Sequence, residues 1–217
     1  MAAGDLSRAL QLAQAYTWNQ SHGYELGGMG YPDFDCSGFV CRCLHEAGFN
    51  VDVQQHYGTK DLDNNPMSYY HILPNAGFNM IPVTDLGNIP QLQSGDIVVL
   101  NSYDQGWSGR GGHTFFYAEN ILAYTDPNAD SDNIGIVSRV KVEASSSRGN
   151  TNPGDSRKNG TGAYWEVWTH AYHTLIDNYY DPTSTTYHNY VTIARWPGGL
   201  NNDILGALLL FKLAMNR

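Results

Sequence analysis

The residues best suited to do chemistry lie in DFDCSGFVCRC (33–43), where Cys36, Cys41 and Cys43 are the chain's 3 cysteines. A thiolate is a strong nucleophile, and the free N–H groups and dipole at a helix N-terminus stabilise it. Phe39, Val40, Cys43, Leu44 and Ala47 recur at helical spacing, while Arg42, His45 and Glu46 face the other way. The helix therefore begins at or just after Cys36, and Gly48 is its natural stop. Cys43 lies two turns on along the apolar stripe and reads as core; Cys41 falls toward the flank and reads as a minor surface residue. Neither forms a C-x-x-C pair with Cys36, and three such cysteines make no disulfide framework, which argues against zinc and thioredoxin-type chemistry. For Cys36 itself two readings stay open, a small buried hydrophobe and a nucleophile.

A cysteine nucleophile needs a base that folding brings beside it. Of 8 histidines, His113 is best placed. It follows Gly111-Gly112, opens an apolar run, and lies beyond a strand led by Gly95-Asp96, so it can face a cleft without clashing. The positioning elements follow from periodicity. Asp5 to Asn19 sets Leu6, Ala9, Leu10, Ala13, Ala15 and Tyr16 at helical spacing, predicting a first amphipathic helix broken by Gly23 to Gly30. Ile97 to Leu100, His113 to Glu119, Ile134 to Ala144 and Val191 to Trp196 read as strands. Residues 50–90 carry turn signals and no long period, and read as an insertion with short helical pieces.

The stretch YELGGMGYPDFDCSGFV (24–40) resembles the signature of NlpC-type cell-wall cysteine peptidases, a papain-like group similar also to CHAP amidases. SGDIVVL (94–100), GGHTFFYAE (111–119) and VEASSSRG (142–149) follow in the order of that group. The resemblance implies a papain-like α+β fold, with N-terminal helices packed on a central antiparallel β-sheet. It implies Cys36 as nucleophile, His113 as general base and Glu143 as the residue orienting the imidazole. Tyr24 matches the tyrosine that helps the Cys36 backbone N–H stabilise the oxyanion. The group more commonly has His, Asn or Gln where Glu143 stands. The interval from Cys36 to His113 is long, and residues 150–190 match no part of the pattern.

Other candidates carry less. His170 and His173 share a helical face, but no third ligand stands near them. The loop DPNADSDN (126–133) alternates the oxygen ligands Asp126, Asn128, Asp130 and Asp132 as a calcium loop does, yet lacks the glycine and glutamate of an EF-hand. An exposed Asx-rich turn is the default there, and no cofactor is otherwise expected. The apolar tail ILGALLLFKLAM (204–215) is short for a membrane span and carries Lys212; it reads as a helix docked on the domain, on another subunit or on a virion partner.

Composition sets the class. The chain has 217 residues, 41% apolar, 12% aromatic and 15% charged, with 15 Tyr and 23 Gly, which describes a loop-rich globular domain. A net charge of −9 without a basic patch argues against nucleic-acid binding. The first twenty residues lack the apolar core of a secretory signal, so the expectation is synthesis in a host cytoplasm and action on the wall after lysis or within a virion. Residues 1–199 are expected to form one hydrolase domain, with insertions at about 50–90 and 150–190, followed by the apolar helix of 200–217. The expected activity is hydrolysis of an amide in the peptidoglycan stem peptide or at the sugar–peptide linkage, as in a bacteriophage endolysin. Two alternatives stand beside it: a non-catalytic wall-binding or virion structural domain on the same scaffold, and a cysteine protease or acyltransferase on other substrates.

Overall fold

A computed structural model describes residues 4–18, 22–30, 33–54, 68–83, 90–100, 112–124, 134–145, 162–167 and 191–200. The fold is α+β. Helix α1 spans Leu6–Trp18, α2 Cys36–Glu46 and α3 Tyr69–Asn75. The strands are β1 (Asn79–Pro82), β2 (Ile97–Leu100), β3 (His113–Tyr124), β4 (Ile134–Ser145), β5 (Gly162–Val167) and β6 (Val191–Arg195). They form a six-stranded sheet in the order β1-β6-β2-β3-β4-β5, with every neighbouring pair antiparallel.

Alternation along the strands sorts their side chains between two apolar clusters. Ile97 and Val99 of β2, Phe116 and Ala118 of β3, and Val140, Val142 and Ala144 of β4 pack with α1 and α2. Val98, Leu100, Phe115, Val191 and Ile193 form the opposite cluster with Val83. Covering both faces is why β2 is an unbroken apolar run with all four residues buried. Each large side chain closed off in this way contributes about 1.5–3 kcal/mol.

Helix α1 buries Leu6, Ala9, Leu10 and Ala13 as the spacing predicts, but its stripe continues through Gln14 and Thr17 rather than Ala15 and Tyr16. Thr17 removes the cost of its hydroxyl by donating to the Gln14 carbonyl at 2.7 Å. At the end of α2, Gly48 (φ +85°) lets its own amide reach the His45 carbonyl at 2.9 Å and the Phe49 amide the Leu44 carbonyl at 3.0 Å. That closes the helix with two carbonyls satisfied.

Two strands, β1 and β5, escape the sequence pattern, while α3 is one of the short helical pieces expected at 50–90. The segment read as an insertion at 50–90 contributes α3 and the edge strand β1, which pairs with β6 from Asn79↔Arg195 to Pro82↔Thr192. Strand β5, within 150–190, pairs with β4. The expected helix at 204–215 lies outside the described residues, as do the calcium candidates Asp126, Asn128, Asp130 and Asp132 and the pair His170 and His173. Among the described residues no helix is long and apolar enough to cross a membrane.

Candidate active site

Cys36 is the first residue of α2, and the turn that presents it is held from several sides. Asp35 is the N-cap: its Oδ1 accepts from the Gly38 amide at 2.6 Å and the Ser37 hydroxyl at 2.7 Å. Its Oδ2 accepts from the Gly27 amide at 2.9 Å, clasping the 24–30 loop to the helix. The same loop returns a bond, the Gly28 carbonyl accepting from the Asp35 amide at 2.9 Å. Gly38 is glycine because a Cβ there would fall 1.9 Å from that Gly28 carbonyl oxygen. The Asp-Cys-Ser-Gly run therefore combines a helix cap with a close backbone crossing, and the side chain left without a structural task is Cys36.

From beneath, Tyr69 of α3 donates its hydroxyl to the Ser37 carbonyl at 2.6 Å. The Cys41 sulfur lies 3.3 Å from the Tyr69 hydroxyl oxygen. Cys41 is fully buried, which corrects its placement as a surface residue: the Tyr69 side chain covers the helix on that flank. Burial pushes the Cys41 thiol up to about 12 and Cys43 well above the usual thiol range, so both stay protonated and unreactive.

His113 opens β3, opposite Leu100 of β2. Its Nε2 lies 2.6 Å from Glu143 Oε2, and Cys36 is close enough to the same ring to act on its charge. With Nε2–H given to the carboxylate, Nδ1 is the nitrogen left for Cys36. The β3–β4 register, Phe116↔Val142, continues to set 143 opposite 115, two residues from His113 and on the same face. The structure thus brings together Cys36, His113 and Glu143 from one helix and two strands.

The electrostatics follow from burial and these contacts. Burial alone lowers the imidazole, but the Glu143 carboxylate, the hydrogen bonds to Cys36 and Glu143, and the charge of Cys36 together raise His113 to about 10. Burial alone raises the Glu143 carboxyl, yet His113 and then Lys141 hold it at about 2. At neutral pH the ring is an imidazolium and the carboxylate an anion. An imidazolium beside a cysteine sulfur is the pairing that a thiolate nucleophile requires.

Tyr24 sits in a single bridge to Phe34, half-buried, in the loop that Asp35 clasps. Burial first, then the charges of Cys36 and Asp35, push its hydroxyl up to about 12. It therefore keeps its proton and remains a donor near Cys36.

No family model and no curated protein matches the chain. The geometry of the site carries the functional reading.

Three residues around the site were not singled out by sequence reasoning. Lys141 meets Glu143 Oε1 at 2.8 Å, and its i−2 spacing on a strand was a usable signal. Asp35 was quoted within the motif without a role, although Asp three residues before a helical glycine is a legible cap. Tyr69 reaches the site from a segment without periodicity, and nothing in the sequence marks it. The Gly95-Asp96 pair is structural: buried Asp96 accepts from Arg195 Nε at 2.9 Å and Nη2 at 2.7 Å, and from the Gln93 amide at 2.8 Å. Among the described residues no group of three or more His, Cys, Asp or Glu is placed to hold a metal.

Proposed function

We propose that this chain is a papain-like cysteine amidohydrolase acting on bacterial peptidoglycan. The observation that carries the reading is the Cys36–His113–Glu143 constellation, with the helix N-terminus at Cys36 and the His113–Glu143 contact of 2.6 Å. Sulfur, imidazole and carboxylate in that sequence are the components of a nucleophile, a general base and an orienting acceptor. The ordered blocks of residues 24–40, 94–100, 111–119 and 142–149 support the wall as substrate through their resemblance to NlpC-type peptidases.

The reaction begins when the Cys36 sulfur attacks the carbonyl carbon of an amide. A C–S bond forms and the carbonyl electrons move to oxygen, where the Cys36 backbone N–H and the Tyr24 hydroxyl are the donors in reach of the developing charge. Collapse breaks the C–N bond, and the His113 imidazolium gives its proton to the leaving amine. A thioester remains. His113, now neutral, takes a proton from water, whose oxygen attacks the thioester; the C–S bond breaks and a carboxylic acid product departs. Glu143 keeps the ring oriented and stabilises its positive charge throughout.

The bond cleaved is an amide of the stem peptide or the linkage between sugar and peptide. The setting is bacterial lysis or wall penetration by a phage, through a lysin made in the host cytoplasm or carried in a virion. A second reading keeps the scaffold as a non-catalytic wall-binding or virion structural domain. The tests separate them: Cys36→Ala abolishes release of wall fragments while the far- and near-UV circular dichroism stay unchanged. Release of fragments from intact walls by that variant at the wild-type rate contradicts the enzyme reading. Cleavage of unrelated peptides with no attack on sacculi moves the substrate away from the wall.

A further inference from the structure

Glu143 has two oxygens and spends one on His113. The other, Oε1, meets the Lys141 ammonium at 2.8 Å, with the Glu143 side chain 1% exposed and that of Lys141 20%. Both residues lie on β4, two apart, so strand alternation sends them to the same face as His113. A carboxylate pinned through different oxygens by two cations has no free rotation: turning Oε2 away from the imidazole strips Oε1 from the ammonium. A single contact to His113 would not impose that constraint.

Among the described residues, other groups share this face. His113 and Tyr117 come from β3, and Tyr117 gives its hydroxyl to Glu119 at 2.5 Å. Cys36 comes from α2 by way of His113. On β5 the register sets Tyr164 opposite Glu143 and Glu166 opposite Lys141. Among the described residues, Lys141 is the cation in contact with Glu143 in addition to the imidazolium.

We propose that Lys141 is a positioning residue for the catalytic set, holding the Glu143 carboxylate ionised and turned toward His113 so that the imidazole stays seated against Cys36. The proposal rests on the reading of Cys36 and His113 as a reactive pair. Its cause is Coulombic and geometric together. Loss of the ammonium removes the cation held at Oε1, and a buried carboxylate deprived of a nearby positive charge takes up a proton more readily. Lys141 stands among the groups that hold Glu143 low, in keeping with this role. Once Glu143 is neutral, the imidazolium loses its counter-charge and the Cys36 sulfur loses its positioned partner.

The test is alkylation of Cys36 by iodoacetamide across about pH 2 to 9, followed by peptide mass so that Cys41 and Cys43 are scored apart. Wild type, Lys141→Met, Lys141→Arg, Glu143→Gln and the Glu143→Gln/Lys141→Met pair are compared. In Lys141→Met the acid-side fall in rate moves up by about one pH unit, roughly tenfold slower labelling on that limb. Lys141→Arg restores the wild-type profile because it keeps the charge. In the Glu143→Gln background the Lys141 substitution changes nothing further, and this comparison holds even if Lys141→Met alone does not fold. A Lys141→Met profile that superimposes on wild type, or an added loss in the double variant, overturns the role of Lys141 and leaves the enzyme reading standing. A wild-type Cys36 that labels no faster near neutral pH than a free thiol overturns both. A profile that depends on Lys141 in a protein releasing no wall fragments upholds Lys141 and removes peptidoglycan as substrate.

Discussion

The charges of His113 and Glu143 are shifted in opposite directions, and each shift has a consequence for stability. His113 is raised from 6.5 to about 10, so its contribution is complete below about pH 6.5 and is lost as pH rises through about 10. Glu143 is lowered from 4.5 to about 2, so its contribution is present above about pH 4.5 and is lost as pH falls through about 2. Wild type therefore exceeds Glu143→Gln in stability most clearly between about pH 4.5 and 6.5, with the difference shrinking on either side. Urea unfolding of both proteins from about pH 2 to about pH 10 measures it; a difference that does not fall away on either side of that plateau contradicts the ion pair. At this scale Cys36 and His113 were legible because each stands beside a signal of its own, a helix start and a glycine-led strand start. Cys41 was misplaced because periodicity describes one helix and says nothing of the Tyr69 side chain that reaches its flank.

Elements succeed or fail here by how their ends are built. Two glycines bracket α2 for different reasons, and substituting each separates the reasons. At Gly38 a methyl group meets the Gly28 carbonyl oxygen at 1.9 Å, so the loop and helix must part. Gly38→Ala is expected to lower stability by about 3 kcal/mol or more and to abolish activity, because the crossing it opens is the one that positions Cys36. At Gly48 a methyl meets nothing within 4 Å, and the cost is the left-handed backbone alone. Gly48→Ala is expected to cost about 1 kcal/mol and leave activity intact. Thermal unfolding and wall-lysis assays on the two variants check the contrast; equal effects on lysis contradict it. The ends of α1, α2, β2 and β6 fell within a residue or two of their sequence reading, since caps, stripes and apolar runs are local. β1 and β5 were missed because a short edge or outer strand takes its form from its neighbour, and a four-residue segment such as Asn79–Pro82 shows no period of its own.

The whole molecule is joined across the sheet by contacts remote in sequence. Arg195 at the end of β6 forks onto Asp96 ahead of β2, 99 residues away, with Arg195 held further by the Gln91 carbonyl at 2.7 Å. Asp96 is 2% exposed, so removing its partner leaves a buried carboxylate. Arg195→Met is expected to destabilise the fold by about 3 kcal/mol, read by denaturant unfolding, with Cys36 labelling unchanged in the protein that remains folded. A shift below about 0.5 kcal/mol would place the fork among surface pairs that contribute little. No local pattern links Asp96 to Arg195, which is why the sequence showed a strand led by Gly95-Asp96 and not the pin it forms. The proposed catalytic set is likewise a property of the whole, since Cys36, His113 and Glu143 come together through the packing of α2 on the paired β3 and β4.

The central claim is that this meeting makes a cysteine amidohydrolase of the bacterial wall. The most direct test is incubation of purified peptidoglycan with wild type and with Cys36→Ala, the released fragments being weighed by mass spectrometry. The account predicts fragments from wild type alone, with masses that assign the cut to a stem-peptide amide or to the sugar–peptide bond. No fragments from walls of several chemistries, or the same fragments from Cys36→Ala, would contradict it.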